Sequence, residues 1–335
     1  MPFNYIKSQL RDPAQTHYLV DSDFRTVAQG WAQADGTGPL DLWAHRNPGY
    51  VYRTGDYTTD VAAWNAARDV LVDFRGDTLY LTPGAYSLAA TTWDVAQATI
   101  TGRPYASPLI GCSRKVRNTT VTVTGAGGIT LGTDSTGLEV SYLRFVPLTA
   151  GIVFGVNTTA PYLHFHDFLW DTDGITASVV TNFLQALTTA QAISFSLFNN
   201  FTWFIDAPQG PVFNLDVANQ AVEIANFLNI CSDTAGTYIT SLLDMTGVDG
   251  HDGYDVHDGR GVLSNGAGAG AVTELILSST AQTGAPLGHV TSFYGSVGYS
   301  TATGLVNEQA SGDWDLMDCQ LSVVAAGTMP TYYTS

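Results

Sequence analysis

The chain has 335 residues, 34 of them glycine, and a net charge of −17. Only 13 residues are Lys or Arg, too few to favour nucleic-acid binding, which sets cations against phosphate, and no run approaches the roughly 18 apolar residues a membrane span requires. Cys112, Cys231 and Cys319 are too few and too scattered for a disulfide framework or a zinc site.

Charge is divided unevenly along the chain. Twelve of the 13 basic residues lie at or before Arg144, where 13 acids leave a net −1, while residues 145–335 set 17 acids against Arg260 alone, a net −16. A half that repels itself stays soluble and keeps copies apart, so the near-neutral half is the place to dock. Helix formers are scarce, whereas glycine, threonine, valine and aromatics abound, which predicts an almost all-β chain.

Residues 1–57 follow no regular period. Pro13, Pro39, Pro48 and the Asp35-Gly36-Thr37-Gly38 turn break it, yet Trp31, Leu40, Leu42, Trp43, Tyr50 and Tyr52 are too apolar for a free tail. The segment is expected to be an arm that orders against a partner, with residues 58–335 as a second unit. That unit opens with a helix from about Val61 to Leu71. Asp60 can accept from its first-turn amides, and Val61, Trp64, Ala67, Val70 and Leu71 share one stripe. Such a helix covers strand edges that would otherwise be left unpaired. Asp77 to Tyr86 reads as a strand, a Pro83-Gly84 turn and an aromatic. Short strands are expected next at Ala98–Thr101, Thr120–Thr124 and Ile129–Leu131.

From Leu138 onward one pattern recurs. At positions one, three, six and eight it gives Leu138, Val140, Leu143, Phe145, then Leu163, Phe165, Phe168, Trp170. Two more copies are Ile193, Phe195, Phe198, Asn200 and Val222, Ile224, Phe227, Asn229, and a last one is Trp314, Leu316, Cys319, Leu321. Positions one and three have the strand period, and the step of three turns a corner into a second strand facing the same interior. Recurrence at such intervals is the mark of a solenoid, each winding covering the apolar edge of the last. Asn200 and Asn229 would then stack on one corner, and Cys319 would be a small inward filler. From Tyr238 to Thr303 the pattern weakens. Strands are expected near Leu242, at Thr273–Leu277 and near Val290–Tyr294, and Met329–Ser335 reads as a tail or contact strand.

These quartets resemble the right-handed parallel β-helix of pectate lyase-like proteins over residues 76–325. The resemblance implies an all-β, right-handed single-stranded solenoid with an N-terminal helical cap and an extended arm; a fold alone carries no chemistry.

Three places could carry function. The stretch Asp249-Gly-His251-Asp252-Gly-Tyr-Asp255-Val-His257-Asp258-Gly259-Arg260 gathers carboxylates and imidazoles that could hold a hard cation, but it lacks the spacing of a calcium loop, and its Asp and Gly also suit plain turns. The outward column Glu139, His164, Ser194 and Glu223, flanked by Ser141, His166 and Ser196, could set an acid beside an imidazole, as glycan cleavage requires; its simpler reading is a solvated or subunit-facing column. Uronate cleavage is disfavoured because no Lys or Arg lies between Arg144 and Arg260 to hold an anionic sugar. The Asn-Thr-Asp, Asp-Asp, Gly-His-Gly and Arg-Ile-Lys series of polygalacturonase-like hydrolases is also missing. Phe201, Trp203 and Phe204 cannot all point inward and could form a sugar-stacking platform or a hydrophobic subunit interface, the sparse charge from Leu184 to Leu215 favouring the interface.

The sequence assigns no residue a catalytic, cofactor or metal role. The expectation is a non-enzymatic phage virion protein, a capsid decoration or cement protein, forming a homotrimer on the major capsid protein, with neither nucleic acid nor membrane as partner. It would sit on the capsid exterior, reaching it from the host cytoplasm by lysis, since the first residues show no apolar run of secretory length. The alternative is a tail spike that binds or cuts a neutral host glycan.

Overall fold

A computed structural model describes residues 41–334, apart from 103–118, 172–180, 206–209, 232–240, 246–252, 265–275, 278–287, 298–303, 308–313, 324–330 and some shorter stretches. Its strands wind as the quartets require. Each coil contributes a first strand, a tight corner, a second strand and, across the core, a third strand that, among the described residues, pairs with the third strands of neighbouring coils. The first strands run from Thr78–Leu81 through Glu139–Ser141, His164–His166 and Tyr254–His257 to Trp314–Met317. Pairing from one coil to the next is parallel throughout, and the third strands form a nine-stranded sheet. The fold is a right-handed parallel β-helix, the hand that crossover connections between parallel strands almost always take.

Two columns of left-handed backbone make the corners. One follows the first strand: Tyr142, Asp167, Asn200, Asn226, Asp258, Ser292 and Asp318, with φ between 49° and 56°. The other precedes it: Gly76, Gln97, Gly137, Tyr162, Phe195, Ala221 and Gly253. Asn and Asp tolerate this region better than other L-residues, which explains their share of the first column. Side-chain stacking on that corner is real but has another partner than expected. Asn226 Nδ2 donates to Asn200 Oδ1, whereas Asn229 lies opposite Trp203.

The third quartet is displaced. Phe165 pairs with Phe198, so that coil reads Ser196, Phe198, Phe201 and Trp203, and Phe195 sits half-exposed in the corner, stacked on Tyr162. The other quartets keep their register, the side chains of Asn229 and Leu321 lying outside the described residues. The interior is a ladder of rings, Phe168 on Phe201 at 4.9 Å and Phe201 on Phe227 at 5.6 Å. Phe201 and Trp203 are both buried, so they belong to the core rather than to an interface; the side chain of Phe204 is outside the described residues. Cys319 packs against the core, where burial pushes its thiol up.

The N-terminal end is closed in two ways. A helix, Asp60–Arg68, lays Ala63, Trp64 and Ala67 on the first coils. Its cap is Thr59, whose Oγ1 accepts from Ala62 N, rather than Asp60, whose carboxylate accepts from Ser87 N at 2.7 Å. Within the segment read as an arm, Asp41–His45 and Tyr50–Arg53 form a hairpin, and Asp41–His45 also pairs antiparallel with Thr78–Leu81. At the other end Thr331–Thr334 pairs with Gly304–Asn307 as the last third strand.

Candidate functional site

On the outer face of the first strands, residues at one position of successive coils stand side by side. Position two gives Glu139, His164, Leu197, Glu223, Asp255, His289 and Asp315, and position four gives Ser141, His166, Asn199, Ala225, His257, Thr291 and Met317. Glu139, His164, Glu223 and His166 therefore lie where the sequence placed them, while Ser141 keeps the register but is buried, its Oγ 2.9 Å from Thr101 Oγ1. Ser194 and Ser196 do not. Both are buried, Ser196 Oγ accepting from Leu163 N at 2.9 Å and Ser194 Oγ from Gln220 N at 3.0 Å.

Around His166 these columns form a clasp. Its Nε2 donates to Glu139 Oε1 of the preceding coil at 3.2 Å, and its Nδ1 to Asp167 Oδ2 at 2.8 Å. Asp167 can reach back because it occupies the left-handed corner next to the histidine. Its hydrogen bond, and that of Glu139, raise the His166 pKa to about 9, so the ring is an imidazolium at neutral pH. In return the hydrogen bond from His166 holds Glu139 below the usual carboxylate range. His164 stacks on His166 with ring centroids 4.5 Å apart and approaches Asn199 Oδ1 at 3.4 Å. Burial, then the neighbouring imidazolium, lowers its pKa. One ligand atom each from Glu139, His164 and His166 fall within 4.8 Å of one another.

Three coils further on the clasp is built again. His257 Nε2 donates to Glu223 Oε1 at 3.0 Å and Nδ1 to Asp258 Oδ2 at 2.8 Å. Burial lowers the His257 pKa, but the two hydrogen bonds outweigh it and the net shift is upward. The part of the Asp249–Arg260 stretch that is described, from Tyr254 on, is not a loop of turns but the start of a regular coil: Tyr254–His257, a corner at Asp258, and Arg260–Ser264. Asp249, His251 and Asp252 lie outside the described residues. Sequence reading assigned Glu223 and His257 to separate sites; the shared signal was the His-Asp pair at 166–167 and 257–258.

Beside the second clasp, over the corner, lies an open groove of about 700 Å³ lined by Asn226, Phe227, Leu228, Asp258, Arg260, Ser292 and Tyr294. Tyr294 is 41% exposed and donates to Asp318 Oδ2 at 3.2 Å.

No protein-family model matches this chain, and no curated protein matches it in sequence. In structure it is similar to the endo-xylogalacturonan hydrolase of Aspergillus tubingensis, at 11% identity over 82% of this chain and 92% of that one, with a TM-score of 0.34. Likeness of this degree transfers neither residues nor activity.

Proposed function

We propose that the chain is a non-enzymatic structural protein of a phage virion, a capsid decoration or cement protein that assembles as a homotrimer. The observation that carries the non-enzymatic reading is the repetition of the clasp. Catalysis is done by one constellation at one place, whereas Glu139–His166–Asp167 and Glu223–His257–Asp258 stand at equivalent positions three coils apart. A motif that recurs with the coil belongs to the coil, and here it ties one winding to the next. Both ring nitrogens of each histidine are engaged by carboxylates, so neither is free to take a proton from a substrate. Glu139, held low, is shifted the wrong way for the general acid of glycoside cleavage.

The charge division supports the orientation. Residues 145–335 carry −16 and repel one another's copies, while residues 1–144 are near neutral and suited to seat on the major capsid protein. The partners of this reading are further copies of the chain and the shell, on the capsid exterior, without nucleic acid or membrane. Copy counting on purified virions tests it: hundreds of copies on the head are expected, and a few copies on the tail with depolymerase activity would overturn it.

The groove favours a second reading, a tail spike that binds host glycan. A half-exposed tyrosine beside Arg260, Asn226 and Ser292 offers a sugar both an apolar face and hydrogen-bond partners. Retention on a host polysaccharide column that Tyr294→Ala abolishes would establish it.

A further inference from the structure

We infer that Glu139, His164 and His166 form a binding site for a divalent transition metal of the zinc class. What separates the two clasps is position two of the histidine's coil, which holds His164 in the first and Asp255 in the second. Only the first therefore adds a second imidazole to the Glu and His. Two imidazoles and a carboxylate are a borderline-soft set that suits zinc, cobalt or nickel, not calcium or magnesium, which take oxygen ligands.

The geometry is close to what such an ion needs. Bonds of about 2.0–2.1 Å to a tetrahedral zinc place its ligand atoms about 3.4 Å apart. His166 Nε2 and Glu139 Oε1 already stand at 3.2 Å. The three ligand atoms lie within 4.8 Å of one another, so rotation of His164, whose ring stacks on His166 and makes one long 3.4 Å approach to Asn199, closes the set. Binding expels the Nε2 proton of His166 to solvent, while Asp167 keeps the Nδ1–H at 2.8 Å and fixes the ring. All three ligands are partly exposed, so the ion has a path in and a fourth position open to water or a partner. Glu139 belongs to one coil and the histidines to the next, so the ion would cross-link adjacent windings.

The test is titration of the chelator-treated full chain with Zn²⁺, and with Co²⁺ followed by its visible d–d absorption. One equivalent per chain is expected, with the band intensity of four-coordinate cobalt and a Zn²⁺-dependent rise in Tm of about 3 °C or more. His164→Gln should weaken binding more than ~100-fold and Asp167→Asn, through the orientation of His166, by ~10–100-fold, while His257→Gln leaves it unchanged. His164 sits on the outer face, partly exposed, with a ring stack on His166 and one long polar contact, so its variant should keep the wild-type circular dichroism even if Glu139→Gln does not fold. Undiminished binding by His164→Gln, or an equal loss in His257→Gln, would overturn the assignment, as would a failure of the wild-type chain to bind.

Discussion

Phe227 fills the space that a side chain on Gly259 of the next coil would need, and through that gap its ring stacks on Phe293, two coils on, centroids 6.2 Å apart. A Cβ on Gly259 would meet three carbons of the Phe227 ring within 2.8 Å. Gly259 holds the same inward position as Phe168 and Phe201, so the aromatic column continues by spanning a coil that contributes no ring at that position.

Gly259→Ala should therefore destabilise the chain by about 1–3 kcal/mol, the usual cost of overpacking, with no change in backbone class. Phe227→Asp, which buries a charge in the same space, should cost more than about 3 kcal/mol and unravel neighbouring coils. Urea unfolding of both variants measures this; wild-type stability in Phe227→Asp would mean the ring is not inside.

His257 predicts a pH dependence with a definite sign. Its folded pKa is raised, so the clasp's contribution is complete below the ordinary histidine value of about 6.5 and is lost as pH rises through the higher folded value. His257→Gln should cost about 1 kcal/mol near pH 6, the low end for a charge-assisted bond because Asp258 and Glu223 are well exposed, and close to nothing near pH 10. A deficit that stays constant across that range would show that His257 acts by packing and not by charge.

Ser196→Ala should cost about 1–2 kcal/mol, since it leaves the buried Leu163 amide without the hydroxyl that accepts from it at 2.9 Å. Calorimetric melting checks this, with Ser87→Ala, at an exposed strand position, as a comparison expected to be near neutral.

That serine also explains how far the sequence could be read. An apolar period found the coils wherever positions one, three, six and eight are apolar, which is why Leu138, Leu163, Val222 and Trp314 start coils as expected. It slipped by three residues at Ile193 because the true first position, Ser196, contributes a hydrogen bond inside and is invisible to a hydrophobic filter. It lost the coil at Tyr254 because positions six and eight there are Gly259 and Gly261, so only Tyr254 and Val256 remain of the quartet. The outward acid and imidazole column was legible from strand alternation alone. The clasps were not, since each depends on which residue of the next coil lies alongside, and that register is set by loops of unequal length.

Arg144 gives the sharpest test of the outer surface on the second strands. Its guanidinium donates to Asp171 Oδ2 at 2.8 and 3.1 Å, and Asp171, one coil on, is fully buried. A buried carboxylate that loses a cationic partner keeps its desolvation cost without the matching attraction, and such losses run to about 3–5 kcal/mol. Arg144→Met should fall at the lower end of that range, because Asp171 has other interactions. The double variant Arg144→Met, Asp171→Leu should recover most of the loss, since a well-packed apolar pair has no charge to compensate. Urea unfolding of both singles and the double closes the cycle. A coupling near zero would mean that Asp171 is held by its remaining partners and that Arg144 merely covers it.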